Sequence, residues 1–323
     1  MPTFLLPVTR RSLPFASSLL QYTSSLSPPT SPHIQFLISS TSRDLERSFR
    51  SQFPKLLSSH EHEAIPDYSD PKDLKEALGQ CSGVILAANG CGDDVINLPS
   101  NPNDEWLQCE ENVASLVSKD HRVVKLSWTD GFVKERSPSA IGRANWELEE
   151  ELKRKFETEW AHNLTILRAP VGMDAFLRGR LYDLVCGRTL SMSVKRGRIA
   201  FVHPLDVAEA LSAILVKDVG GEVTLTGPEA LTFEEVAQIL SNGINDKVNY
   251  SNFPLWAVQP ARWVRGVPGD AIEEELAVIR ALEAGIQQKV DTGDLKALLG
   301  RKPRSFREFV AENADAWPRT ELV

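Results

Sequence analysis

The chain has 323 residues, 42% of them hydrophobic, enough to bury the core of one large α/β domain or two small ones. Its net charge of −8, drawn from 36 basic and 44 acidic residues over both halves, argues against a nucleic-acid-binding surface. No apolar run approaches the roughly 18 residues of a membrane span. The four cysteines (Cys81, Cys91, Cys109, Cys186) have neither CxxC nor zinc spacing, so they read as isolated thiols of a reducing, cytoplasmic compartment.

Residues 1–32 are rich in Ser and Pro, carry Arg10 and Arg11, and contain no acidic residue, which is also the composition of an organelle transit peptide. We read them instead as a strand over 3–8, a helix over 13–22 and a Ser/Pro loop into a second strand over 33–38. A helix over 42–57 follows, then a short strand over 63–67. The next helix, over 71–78, has Asp70 placed as its cap. The run 83–89 is a strand, 90–103 a loop, and 104–119 a helix.

The stretch 122–174 organises the rest. It reads as a buried strand (122–128), a turn (129–131), a Glu-rich helix (141–155), a second buried strand (164–170) and a helix from 172. Beyond it we expect a hairpin over 190–202, turning at 195–197, and an amphipathic helix over 204–217. A late strand (222–226) and a helix opened by a Thr232/Glu235 capping box come next. A proline-rich irregular lid over 250–268 and two closing helices complete the chain. Strands and helices alternate at the spacing of right-handed parallel crossovers. The expected class is α/β: a Rossmann-like parallel sheet with helices on both faces. Residues 1–170 form the core, and 171–323 a small substrate-binding lobe interleaved with the last strands.

In such sheets ligands sit at the carboxyl ends of the strands. The two central strand ends carry Ser127, Trp128 and Asp130, and Met173 and Asp174. Asp130, beside Trp128, suits a general acid, because burial disfavours the charged carboxyl; it is equally an Asp-Gly turn residue. Asp174 is a second acid, or a first-turn carboxylate favoured by the helix dipole. Ser127 donates to a substrate oxygen, or is a buried serine bonded to backbone; no base is placed to make it a nucleophile. Trp106, Trp128, Trp256 and Trp263, with Met173, are candidate substrate walls, since aromatic faces stabilise cations. Trp146 reads as packing, His203 as structural, Asp206 as a helix N-cap, and 147–151 as a solvated helix face.

Several pieces in order (Val124-Lys-Leu-Ser127, Asn145-Trp-Glu-Leu-Glu149, Thr165-Ile-Leu-Arg-Ala-Pro170, Phe201-Val-His-Pro-Leu-Asp206, Leu225-Thr-Gly-Pro228) resemble the NmrA-like branch of the atypical short-chain dehydrogenases, which includes reductases of fungal ergot-alkaloid pathways. Two departures stand out. The turn Pro7–Pro14 has no glycine, and the first glycine of the chain is Gly79, whereas a dinucleotide fold uses glycines there to admit the pyrophosphate. The family's Tyr-xxx-Lys pair falls on Ile141 and Asn145. With these losses the chain is similar to the fungal quinolone-alkaloid enzymes that act as Brønsted acids on an epoxide. That resemblance implies a non-redox isomerase or cyclase of secondary metabolism, with Asp130 or Asp174 as acid and Ser127 assisting. It also implies an aromatic or prenylated small-molecule substrate, no cofactor and no metal. The alternatives are an NADPH-dependent reductase with an unusual phosphate loop, in which Arg43 binds a 2′-phosphate, and a non-catalytic dinucleotide-sensing protein.

Overall fold

The computed structural model describes residues 2–9, 12–26, 32–39, 44, 47, 51, 62–65, 71–87, 105–129, 131–157 and 160–318. In chain order the elements are β1 (Thr3–Val8), α1 (Leu13–Ser24), β2 (His33–Ser39), β3 (His62–Ile65), α2 (Pro71–Leu78), β4 (Gly83–Leu86), α3 (Glu105–Leu116), β5 (Arg122–Trp128), α4 (Ala140–Phe156), the single turn α5 (Trp160–Asn163) and β6 (Leu164–Ala169). A 3₁₀ turn (Met173–Leu177) leads to α6 (Gly179–Cys186), β7 (Thr189–Met192), α7 (Pro204–Lys217), β8 (Gly221–Thr224), α8 (Phe233–Ile244) and β9 (Asn249–Asn252). The chain closes with α9 (Leu255–Trp263), α10 (Gly269–Glu283), α11 (Gly293–Leu299), α12 (Phe306–Glu312) and a last 3₁₀ turn, Ala314–Ala316.

Seven strands form one sheet in the order β3-β2-β1-β4-β5-β6-β8, every neighbouring pair parallel. The strands of such a sheet are buried on both faces, which is why they read as near-continuous apolar runs. β1 lies inside the sheet, between β2 and β4, with every residue from Phe4 to Val8 buried. The opening segment is therefore part of the sheet, as its structural reading requires. α1, α7 and α11 cover one face through Phe15, Leu19, Val207, Leu211 and Leu295. α2, α3 and α4 cover the other through Leu74, Val113, Leu148 and Leu152. The chain runs outward from β1 to β3 and then crosses back to β4, so the strand order reverses between β1 and β4. A crevice opens at the carboxyl ends of the strands where a parallel sheet reverses in this way.

A second core collects the later elements. Phe176, Leu181, Phe201, Phe233, Leu240, Leu276 and Trp317 pack together there, and Trp128 and Phe132 join it from the end of β5. β7 and β9 form a separate two-stranded parallel sheet beside it. Two local expectations are corrected here. Residues 190–202 form no hairpin: β7 pairs with β9, and Ile199 bridges Leu231 instead. The reason is Glu283, whose carboxylate accepts the successive N–H groups of Lys195, Arg196 and Gly197 at 2.7, 3.0 and 3.3 Å and holds that turn against α10. Residues 250–268 are not irregular either. They hold the end of β9 and the helix α9, which starts after Pro254 and tolerates Pro260 inside it. A proline in a helix interior lacks one backbone donor, which makes the helix unfavourable without forbidding it. The helix expected over 42–57 and the loop over 90–103 lie outside the described residues, apart from isolated positions.

Candidate active site at the carboxyl edge of the sheet

β5 sets the geometry. Its side chains alternate between faces, so Val124, Leu126 and Trp128 turn to one side and Lys125 and Ser127 to the other. The second side meets α3 and α4. Lys125, fully buried, pairs with Glu110 of α3 at 2.7 Å. Ser127 Oγ donates to Glu149 Oε1 of α4 at 2.5 Å. Glu149 also takes Arg168, at 2.8 and 2.7 Å; Arg168 sits opposite Ser127 on β6 and reaches on to Glu222 at 3.3 Å. The expectation of a solvated face over 147–151 is thus corrected at its centre: Glu149 is 1% exposed and is an acceptor for two buried groups. Ser127 has a carboxylate beside it after all, but one already engaged by a guanidinium.

One level nearer the carboxyl edge the polar groups are unmatched. Thr129 lies two residues beyond Ser127, and Asn145 lies one helical turn before Glu149, so each continues the polar line of its own element. Among the described residues Thr129 Oγ1 is buried with no hydrogen-bond partner. Asn145 donates through Nδ2 to the Ile141 carbonyl at 3.0 Å, while its Oδ1 is buried and has no partner among the described residues. On the opposite face Trp128 packs edge-on against Phe132 at 5.5 Å, and its indole Nε1–H is likewise buried and unpaired among the described residues. Buried polar atoms are paired in the great majority of cases, so unpaired ones at a ligand-bearing edge mark groups that a ligand would satisfy.

A large cavity, about 670 Å³, flanks the same edge on the α1 face, between Pro14 and Ser17 of α1, Asp174 and Arg178, and His203 and Glu312. Asp174 is largely buried and ion-paired through Oδ2 to Arg178 at 2.7 Å; its Oδ1 is buried without a partner among the described residues. His203 is the N-cap of α7: its Nδ1 accepts the Leu205 N–H at 3.2 Å. That leaves the proton on Nε2, which faces Glu312 at 3.2 Å. Burial pushes the His203 imidazole below its ordinary pKa, against the pull of Asp206 and Glu312. Asp206, expected as the cap, is fully buried and instead binds Arg301 at 2.8 Å and the Arg304 backbone N–H at 2.7 Å.

The other expected site residues are dispersed. Met173 is buried in the second core, its N–H bonded to the Val202 carbonyl at 2.9 Å. Asp130 lies outside the described residues, and of Trp106 only its place in α3 is described. Trp256 and Trp263 stand on α9 at 79% and 75% exposure, and neither borders the large cavity.

The turn between β1 and α1 closes on itself. Thr9 N–H donates to Ser12 Oγ at 2.8 Å, Ser12 N–H to Thr9 Oγ1 at 3.2 Å, and Leu13 N–H to the Thr9 carbonyl at 3.0 Å. Pro14 has no N–H to give. The described part of this turn therefore offers no glycine-type amide cradle to a pyrophosphate. The sequence sets Arg10 and Arg11 between Thr9 and Ser12, so the turn carries positive charge.

The fold is that of the NmrA-like, atypical short-chain dehydrogenases. The Citrobacter triphenylmethane reductase complexed with NADP(H) superposes with a TM-score of 0.67 at 19% identity, over 96% of this chain and 100% of that one. NmrA, a negative transcriptional regulator solved with NAD, superposes with a TM-score of 0.64 at 13% identity, over 96% and 94%. Among curated proteins, agroclavine dehydrogenase of Claviceps fusiformis is 30% identical over 131 residues, 40% of this chain and 45% of its own length. The uncharacterized oxidoreductase YesF of Bacillus subtilis is 29% identical over 163 residues, 49% and 55%. The chain thus spans about half the length of the curated relatives it matches. No family model matches the sequence. The expectation of a cofactor-free protein is overturned by the neighbours that hold NADP(H) and NAD on this fold. Glycines are one means of admitting a pyrophosphate to this fold; guanidinium groups also hold phosphate.

Proposed function

We propose that the protein is an NADPH-dependent oxidoreductase acting on a small organic molecule. The observation that carries this reading is the pair of buried atoms Thr129 Oγ1 and Asn145 Oδ1, unpartnered among the described residues, above the Ser127–Glu149 bond, at the carboxyl edge where a parallel sheet binds its ligands. The oxidoreductases and NADP(H) complex among its relatives and neighbours support it. Arg10 and Arg11 supply the charge for the phosphates in this proposal. Thr129 and Asn145 bind the reacting end, a hydroxyl donor beside a carbonyl acceptor. A reduced nicotinamide, when bound, supplies a hydride equivalent.

The missing tyrosine narrows the substrate. Ile141, buried at 4% exposure, occupies the proton-donor position, so no phenol stands ready to protonate a carbonyl oxygen. The substrate class that needs no such proton is an organic cation, an iminium or a delocalised dye-type carbocation. Glu312 lines the large cavity and offsets such a charge, the Asp174 carboxylate there being paired with Arg178. This replaces acid catalysis on an epoxide: the described candidate acid, Asp174, holds its carboxylate on Arg178.

The test is turnover. The purified protein is mixed with NADPH and a triphenylmethane dye cation or a cyclic iminium, and loss of reduced-nicotinamide absorbance is followed. Cation-dependent oxidation of NADPH, reduced about tenfold or more in Asn145→Leu and Thr129→Val, is the expected result. A protein that binds NADPH yet consumes none with any cationic acceptor would refute the enzymatic reading.

A further inference from the structure

A second cavity, about 460 Å³, lies away from the sheet edge, between α6, β7 and α9. Its floor is apolar: Leu184, Phe253 and Val258. Its rim is charged. Glu275 of α10 accepts Arg180 at 2.9 Å and Arg262 at 2.8 and 2.6 Å, so one carboxylate is shared by two guanidiniums. Asp183 is the other acid on the wall, and Arg265, exposed at the mouth, makes no ion pair among the described residues. Three guanidiniums thus face two carboxylates. Burial, then the like charge of Arg262, pulls Arg180 below its ordinary pKa; Glu275 opposes this and Arg265 adds to it. An excess of positive charge over an apolar floor is the chemistry of a site for an amphipathic anion, and the volume falls within the roughly 300–1,000 Å³ of small-molecule sites.

We propose that this cavity binds a small organic anion, its aromatic or aliphatic body on Leu184, Phe253 and Val258 and its carboxylate, sulfonate or phosphate group on Arg265 and the edge of the Arg180–Glu275–Arg262 cluster. The site is separate from the sheet edge, and the inference does not depend on the redox reading. Arg265 supplies the unshared charge; Arg180 and Arg262 are held in place by Glu275. Ala261 borders the cavity on α9, where a larger side chain would fill it.

The probe is 8-anilinonaphthalene-1-sulfonate, compared with its uncharged analogue N-phenyl-1-naphthylamine. Both are titrated by fluorescence into the full chain, its Arg265→Glu variant and its Ala261→Trp variant, with circular dichroism verifying each fold. The sulfonate should bind saturably at one site and weaken about tenfold or more in Arg265→Glu. The neutral analogue should be indifferent to that change. Both probes should be lost in Ala261→Trp. Sulfonate affinity unchanged in Arg265→Glu, or binding that survives in a folded Ala261→Trp, would overturn the proposal. So would equal weakening of both probes by the charge reversal.

Discussion

Thr129 and Asn145 each leave one buried atom without a partner among the described residues, and an unmade buried hydrogen bond costs about 1–3 kcal/mol. Stability and turnover should therefore part company at Asn145. Replacing it with Leu removes the orphaned carbonyl while keeping volume, so the urea midpoint should hold or rise while turnover falls about tenfold. A midpoint that drops with turnover would make Asn145 a packing residue. His203 gives a pH test. Its folded-state pKa is lowered from the ordinary 6.5 because burial disfavours the imidazolium. The unfolded chain then binds the proton more readily, so this contribution is present above about pH 6.5 and is lost as pH falls through the folded value. His203→Asn keeps an N-cap acceptor and removes the titration. Urea midpoints taken across that range should decline less steeply for the variant than for the wild type; parallel declines would contradict the assignment.

At the scale of elements, β5 shows what the sequence discloses and what it hides. Arg122-Val-Val-Lys-Leu-Ser-Trp-Thr129 is visibly a buried strand, and its polar residues at 125, 127 and 129 recur every second position, a signal of one polar face. Their partners Glu110 and Glu149 were not legible, because a charge inside a helix reads as solvated until another element covers it. The Lys125–Glu110 pair tests that account. Removing one member strands a buried charge, so Lys125→Met should destabilise the chain by about 3–5 kcal/mol. Lys125→Met with Glu110→Leu should recover most of the loss. Equal destabilisation by the single and double variants would mean that the pair does not interact as drawn. α9 was hidden for a different reason: prolines at 254 and 260 read as loop, yet one sits before the helix and the other inside it. With Trp256 and Trp263 facing solvent, Gln at either position should shift stability by no more than about 0.5 kcal/mol. A larger loss in thermal denaturation would show that the indoles are packed in solution.

Over the whole molecule the alternation of strands and helices made the parallel sheet legible, including β1 within the Ser/Pro-rich opening. The strand order came only with the structure, since crossovers join sequence neighbours without stating where each strand is inserted. Among the described residues no helix is long and apolar enough to cross a membrane. The expected absence of a cofactor is overturned by the neighbours that hold NADP(H) and NAD on this fold; in the proposed function the charge for the phosphates comes from Arg10 and Arg11, which the sequence sets between Thr9 and Ser12. Calorimetric titration of NADPH tests this most directly. The account predicts a dissociation constant in the roughly micromolar range, weakening steeply with added salt and about tenfold or more in an Arg10→Ala, Arg11→Ala double variant. No binding at millimolar NADPH by the folded wild-type protein would contradict it.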